Sequence, residues 1–188
     1  MNVLISGGCK NGKSFYAQQI ASELAAGGPL YYIATMIPHD GEDRARIKRH
    51  LKERDGWGFD TIEQGRNIAA LIDREDIDLK GCFLLDSVTA VLENEMFPVA
   101  LKEGRIEFLG EDGGAPERVR AELTAFAAAV KAAGGSAVFV SDSIYGDKGG
   151  YSPSTEHYRR ALADADRALA GVCDKVTEVT YGMTEEWK

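Results

Sequence analysis

"LISGGCKNGKSFYAQ", residues 4–18, is the stretch on which the fold turns. A short apolar run breaks into two glycines, a Gly-Lys-Ser triplet follows, and a helical pattern begins directly after it. Gly7, Gly8, Cys9, Lys10, Asn11, Gly12, Lys13 and Ser14 match the spacing of a phosphate-binding loop. Glycines let a backbone curl until its N–H groups surround phosphate oxygens, and the following helix N-terminus adds a favourable dipole. Lys13 is then expected to reach the β- and γ-phosphates of a nucleotide, and the Ser14 hydroxyl to ligate Mg²⁺.

Outward from this loop, apolar runs alternate with helical patterns. Asn2–Ser6, Leu30–Ala34, Phe59–Glu63, Cys82–Leu85, Ala137–Ser141 and Lys175–Tyr181 read as strands. Lys13–Ala26, Asp43–Arg54, Asn67–Asp73, Ser87 to about Asn94, Pro116–Ala133 and Pro153 to about Ala170 read as helices. Such alternation implies right-handed crossovers and a mainly parallel sheet with helices on both faces. Glu95–Ala115 and Ile144–Tyr151 read as long loops. At 188 residues the chain suits one nucleotide-binding domain, residues 1–188, and is short for two.

Composition narrows the partners. A net charge of −8 argues against a general nucleic-acid binder, which needs a basic surface. No window is apolar for long enough to span a membrane, and no basic stretch leads into an apolar signal core, so a cytoplasmic location is expected. Cys9, Cys82 and Cys173 lie too far apart in sequence to form a zinc-ligand pair and read as small, semi-buried residues.

A nucleotide site also needs an acid, and in parallel sheets ligands gather at the carboxyl ends of strands. Asp86 and Asp142 both occupy such ends. Asp86 is the preferred metal residue, because Ser87-Val88-Thr89 opens a helix directly behind it. Either one also reads as a simple helix cap.

A second constellation is "RARIKRHLKER", Arg44–Arg54. On a helix, Arg46, His50 and Arg54 share one stripe. Neighbouring cations disfavour protonated imidazole, which keeps His50 neutral and nucleophilic, and Arg46, Arg49 and Arg54 suit phosphate clamping. The same stretch also reads as a solvated basic helix with an incidental histidine.

Together these residues resemble the bifunctional adenosylcobinamide kinase/adenosylcobinamide-phosphate guanylyltransferases of cobalamin biosynthesis, over nearly the whole chain. The resemblance is carried by "LISGGCKNGKS", by Tyr32-Ile33-Ala34-Thr35, and by Arg46-Ile47, His50, Trp57, Thr61 and Glu63. Leu84-Leu85-Asp86-Ser87 with Thr89 and Asn94 continues it. The match weakens where the family carries Asn-Glu-Val-Gly and this chain has Asp142-Ser143-Ile144-Tyr145. It weakens again on the last helix, where Arg159 is kept but Arg160, Ala163, Asp166 and Arg167 depart.

The resemblance implies a P-loop NTPase (RecA-like) three-layer α/β sandwich and a homo-oligomer, a trimer. It implies GTP or ATP with Mg²⁺ as co-substrate, a corrinoid acceptor, and guanylylation of His50. Thr35, Glu63 and Asp86 join the nucleotide-binding set, with Asp86 and Ser14 at the metal. The Asp142-Ser143 departure leaves two other readings: a monofunctional or re-targeted kinase or nucleotidyltransferase, and a non-catalytic nucleotide-binding module that contacts a partner through Glu95–Ala115.

Overall fold

A computed structural model describes residues 1–38, 55–102, 105–146 and 148–188. Arg46, Arg49, His50 and Arg54, with the helix expected around them, lie outside the described residues.

The chain runs β1 (Asn2–Gly7), α1 (Lys13–Ala25), β2 (Leu30–Ala34), β3 (Asp60–Glu63), a 3-10 helix (Ile68–Asp73), β4 (Cys82–Asp86) and α2 (Val88–Met96). It continues through β5 (Val99–Lys102), β6 (Arg105–Phe108), α3 (Ala115–Ala133), β7 (Ser136–Asp142), α4 (Pro153–Val172), β8 (Lys175–Thr180) and β9 (Met183–Glu186). Seven strands form one sheet in the order β3-β2-β4-β7-β1-β8-β9, and every pairing from β3 through β8 is parallel. Within this sheet β9, at the edge, runs antiparallel to β8.

The expected alternation is present, with two additions. β5 and β6 form an antiparallel hairpin inside the stretch read as a loop, and β9 doubles back along β8. The short helix at 68–73 is a 3-10 turn rather than α-helix.

Side chains that alternate along the central strands divide the core in two. Val3, Ile5, Leu84, Val138 and Val140 face α1 through Ala17 and Ala21. Leu4, Phe83, Leu85 and Phe139 face the other way, onto α2, α3, α4 and the 3-10 helix through Val91, Phe126, Leu162 and Leu71. This is the three-layer sandwich expected from the sequence, with its strands apolar on both faces because both are covered. Cys82 and Cys173 are buried, and burial pushes both thiols up to about 12; Cys9 is instead exposed on the glycine loop.

Parallel strands leave all their carboxyl ends on one edge, where β1, β4 and β7 finish in Gly7, Asp86 and Asp142. At that edge Gly7 has φ +154°, and a Cβ added there would lie 2.2 Å from the Val179 carbonyl oxygen of β8. Neither partner of that contact is a mobile side-chain tip. Gly7→Ala is therefore expected to lower stability by about 3 kcal/mol or more, read as a fall in urea midpoint. An unchanged midpoint would show that β1 and β8 separate freely.

Candidate active site

The glycine loop follows from its local residues. Lys10 sits in the left-handed region at φ +59° and Gly12 at φ +90°, so the loop turns sharply just ahead of α1. Gly12 provides no side-chain cap for α1, so the first N–H groups of that helix remain available to an anion. By contrast α2 and α4 are each capped by a serine hydroxyl, from Ser87 and Ser152.

Lys13 folds back over the loop. Its Nζ donates to the Gly8 carbonyl at 2.7 Å and to Asp142 Oδ1 at 2.8 Å, and the side chain is 6 % exposed. The ammonium is thus held at the loop mouth rather than free in solvent. Ser14 lies half-buried in the first turn of α1.

Sheet order decides which acid meets the lysine. β7 lies between β1 and β4, and its register places Asp142 level with Gly7. Asp86 pairs with Val140, which is level with Ile5, so it sits two residues further back. Asp142 therefore contacts Lys13, while Asp86 Oδ2 accepts from the Tyr32 hydroxyl at 2.9 Å. The sequence placed both acids at the correct edge; the pairing of Asp142 with Lys13 needs the non-local strand order.

Thr35 is fully buried, and its hydroxyl is committed to backbone. It accepts from the Ser87 N–H at 2.6 Å and donates to the Ser87 carbonyl at 3.2 Å, which fixes the turn behind Asp86. Asn94 reinforces this corner by donating to the carbonyls of Thr35 and Gly65. Glu63 is exposed at the end of β3, four strands from β1, or about 19 Å across at the usual strand spacing. Glu63 thus lies on the same edge of the sheet as Lys13 but well apart from it.

Three residues that the sequence reading left without a role tie the site to its surroundings. The Asp142 N–H donates to Thr89 Oγ1 at 3.0 Å, and the Tyr158 hydroxyl donates to the Thr89 carbonyl at 3.0 Å. Arg159, 7 % exposed, donates to the carbonyls of Ile144 and Tyr145 and to both carboxylate oxygens of Glu156. The signal for Arg159 was its place on the apolar face of α4, one turn ahead of Leu162.

Beneath the same strand ends lies Asp166, 5 % exposed, accepting from the hydroxyls of Ser141 at 3.0 Å and Tyr145 at 3.1 Å. Its other oxygen has no hydrogen-bond partner among the described residues. Burial pushes this carboxyl up to about 6, the two hydroxyls pull it partly back, and the charge of Asp142 adds to the rise. A carboxyl raised this way stays protonated in the fold at pH values where the unfolded chain has released the proton. The penalty for ionising it thus grows as pH rises from about 4 to about 6 and is fully present above that range. Asp166→Asn is expected to gain about 2–3 kcal/mol relative to wild type at pH 7.5 compared with pH 4. Urea titrations at the two pH values measure it, and equal gains at both would refute the assignment.

Residues 3–186 match the family model described as cobinamide kinase / cobinamide phosphate guanyltransferase. The chain is 30% identical to the bifunctional adenosylcobalamin biosynthesis protein CobP of Pseudomonas aeruginosa over 97% of this chain and 95% of that protein. It is 27% identical to the bifunctional adenosylcobalamin biosynthesis protein CobU of Escherichia coli over 97% of each. In fold it is similar to the flagellar accessory protein FlaH of Methanocaldococcus jannaschii, with a TM-score of 0.54 at 13% identity, covering 100% of this chain and 77% of that one. That last likeness concerns architecture alone and accords with the α/β sandwich built around the glycine loop. With a nucleotide-loop geometry at the sheet edge and a family match that spans nearly every residue, the chain belongs to the cobinamide kinase / cobinamide phosphate guanyltransferase family.

Proposed function

We propose that the chain phosphorylates adenosylcobinamide with a nucleoside triphosphate and then transfers GMP from GTP to that phosphate, giving adenosylcobinamide-GDP. The observation that carries this reading is Lys13, held by Gly8 and Asp142 over an uncapped helix N-terminus at the carboxyl edge of the sheet. That arrangement suits phosphates, and the family match supplies the acceptor. The match also favours an enzyme over a nucleotide-sensing module.

In the first step Lys13 and the N–H groups of residues 7–14 orient the triphosphate and hold the charge on the transferring group, while positioning supplies much of the rest. In the second, a neutral ring nitrogen of His50 attacks the α-phosphorus of GTP and pyrophosphate leaves. The phosphate of the acceptor then attacks the guanylyl-histidine and releases His50. Arg46, Arg49 and Arg54 clamp phosphates during the exchange, and Thr35, Glu63 and Asp86 shape the nucleotide edge.

The residues present fit Mg²⁺. Ser14 in the first turn of α1 and Asp86 at the end of β4 offer hard oxygen ligands on the same edge of the sheet, and no group of three His, Cys, Asp or Glu among the described residues forms a cage for a metal. Mg²⁺ ordinarily takes one or two protein oxygens and completes its shell with phosphate and water. When bound with nucleotide it neutralises phosphate charge.

The reading takes residues 1–188 as one working domain, supported by a sheet that joins strands from both ends of the chain, and takes the cytoplasm as its location. No helix among the described residues is long and apolar enough to cross a membrane. A homotrimer, carried over from the family resemblance, is checked by light scattering. The activity is tested by supplying adenosylcobinamide, Mg²⁺ and ATP or GTP and resolving the corrinoids by chromatography. Phosphorylated cobinamide followed by its GDP derivative is expected; unchanged cobinamide would overturn the proposal.

A further inference from the structure

Beside the glycine loop lies a cleft of about 440 Å³ lined by Ser143, Ile144, Tyr151, Thr155, Tyr158 and Arg159. We propose that this cleft receives the hydroxyl-bearing arm of the phosphoryl acceptor, and that Asp142 is the base that takes the proton of that hydroxyl. The inference rests on the kinase reading above and goes beyond it by naming the acceptor site and the base.

Three links join the cleft to the phosphate loop. Its first two lining residues follow Asp142 directly in sequence, and the Ser143 N–H donates to the Gly7 carbonyl at 3.0 Å. Thr89 holds both sides, accepting from the Asp142 N–H through its hydroxyl and from the Tyr158 hydroxyl through its carbonyl. Arg159 pins the carbonyls of Ile144 and Tyr145, which sets the rim. A group seated in the cleft is thereby presented to the strand end that carries Asp142.

The charge balance selects the ligand class. Arg159 is the cation of the lining; its Nη1 donates to the two carboxylate oxygens of Glu156 at 3.0 and 2.9 Å, while its guanidinium lies 5.0 Å from the Tyr151 ring centroid. A guanidinium already neutralised in this way does not make a second phosphate pocket. Two tyrosines, an isoleucine and the hydroxyl-bearing Ser143 and Thr155 instead suit a neutral alcohol on an aliphatic arm.

Asp142 stands where the resembling family carries asparagine, so the base is a feature of this chain rather than of the family at large, and its position suits that role. Its carboxylate pairs with Lys13, and the side chain is 31 % exposed, so it is reachable. A triphosphate in the loop offers Lys13 competing oxygens and leaves the carboxylate facing the acceptor. The acceptor oxygen then bonds to the γ-phosphorus, the bond from that phosphorus to the β–γ bridging oxygen breaks, and the electron pair leaves with the nucleoside diphosphate. The hydroxyl proton passes to Asp142 and from there to water.

The test compares wild type, Asp142→Asn and Thr155→Trp in steady-state phosphorylation of adenosylcobinamide. Thr155 is exposed on the first turn of α4, so Thr155→Trp is expected to melt like wild type, whereas Asp142→Asn, nearly isosteric, keeps the fold but melts lower because Lys13 loses its charged partner. Asp142→Asn should lower kcat by ~100-fold, in the range for loss of a positioned base, with nucleotide KM unchanged or lower because Lys13 loses a competitor. Thr155→Trp should raise acceptor KM by at least about 10-fold while nucleotide KM stays put. A kcat for Asp142→Asn within a few-fold of wild type, or a loss expressed as weaker nucleotide binding, overturns the base. An unchanged acceptor KM in Thr155→Trp overturns the cleft. Wild type that leaves cobinamide unphosphorylated removes the kinase reading itself, an outcome distinct from active wild type with indifferent variants.

Discussion

Incubated with Mg²⁺ and GTP labelled at its α-phosphate, the wild-type chain is expected to acquire an acid-labile, alkali-stable label, and His50→Ala to acquire none. The lability follows from the bond: a phosphorus–nitrogen linkage to imidazole breaks readily once the ring is protonated, whereas phosphate esters of serine survive acid better. The effect is all or none because a nucleophile has no partial substitute. Loss of a clamping cation differs in kind. Arg46→Ala or Arg54→Ala should slow labelling ~10–100-fold and leave its final extent unchanged, since each removes one charge-assisted contact and not the attacking atom. Label that persists in His50→Ala would move the nucleophile elsewhere. Adding phosphorylated cobinamide to labelled wild type should discharge it, which separates a true intermediate from a dead-end adduct.

What could be read from the chain and what could not divide along a physical line. The glycine loop, the strand before it and the helix after it are local, so Gly7–Ser14 carries its own geometry in its residue types. The apolar runs of β1, β4 and β7 are almost continuous, as burial on both faces demands, and their closing aspartates are visible as strand ends. Sheet order is not local. Nothing in the chain near Asp142 states that β7 inserts between β1 and β4, and that insertion alone brings Asp142 rather than Asp86 to Lys13. β9, with Met183-Thr184-Glu185-Glu186, escaped because all four residues are exposed and no burial pattern marks them. Asp166 had a signal that could have been followed: it shares the apolar face of α4 with Leu162, Ala165 and Leu169. A carboxylate on such a face is either paired or raised, and here it is raised.

Lys13→Ala is expected to cut phosphoryl transfer ~10³-fold, at the upper end for removing one preorganised donor of charge stabilisation. Two observations set the size. The ammonium is almost fully screened from solvent, so its charge acts through a weakly screening medium. It is also fixed by two bonds, at 2.7 and 2.8 Å, so little reorganisation is needed when charge develops on the phosphates. Lys13→Arg should recover little, because a planar guanidinium cannot occupy the space between Gly8 and Asp142 as a compact ammonium does. The stability cost should be smaller, about 1 kcal/mol, because water reaches the Asp142 carboxylate that the change leaves behind. That residual cost gives the decisive comparison. In a cycle with Asp142→Asn, the double variant should be more stable than the sum of the single losses, since no charge is left without its partner. Its transfer rate should stay at or below that of Lys13→Ala, because neutralising the acid restores no cation at the phosphates. A rate for Lys13→Ala within tenfold of wild type would detach the glycine loop from the chemistry, whatever nucleotide it holds.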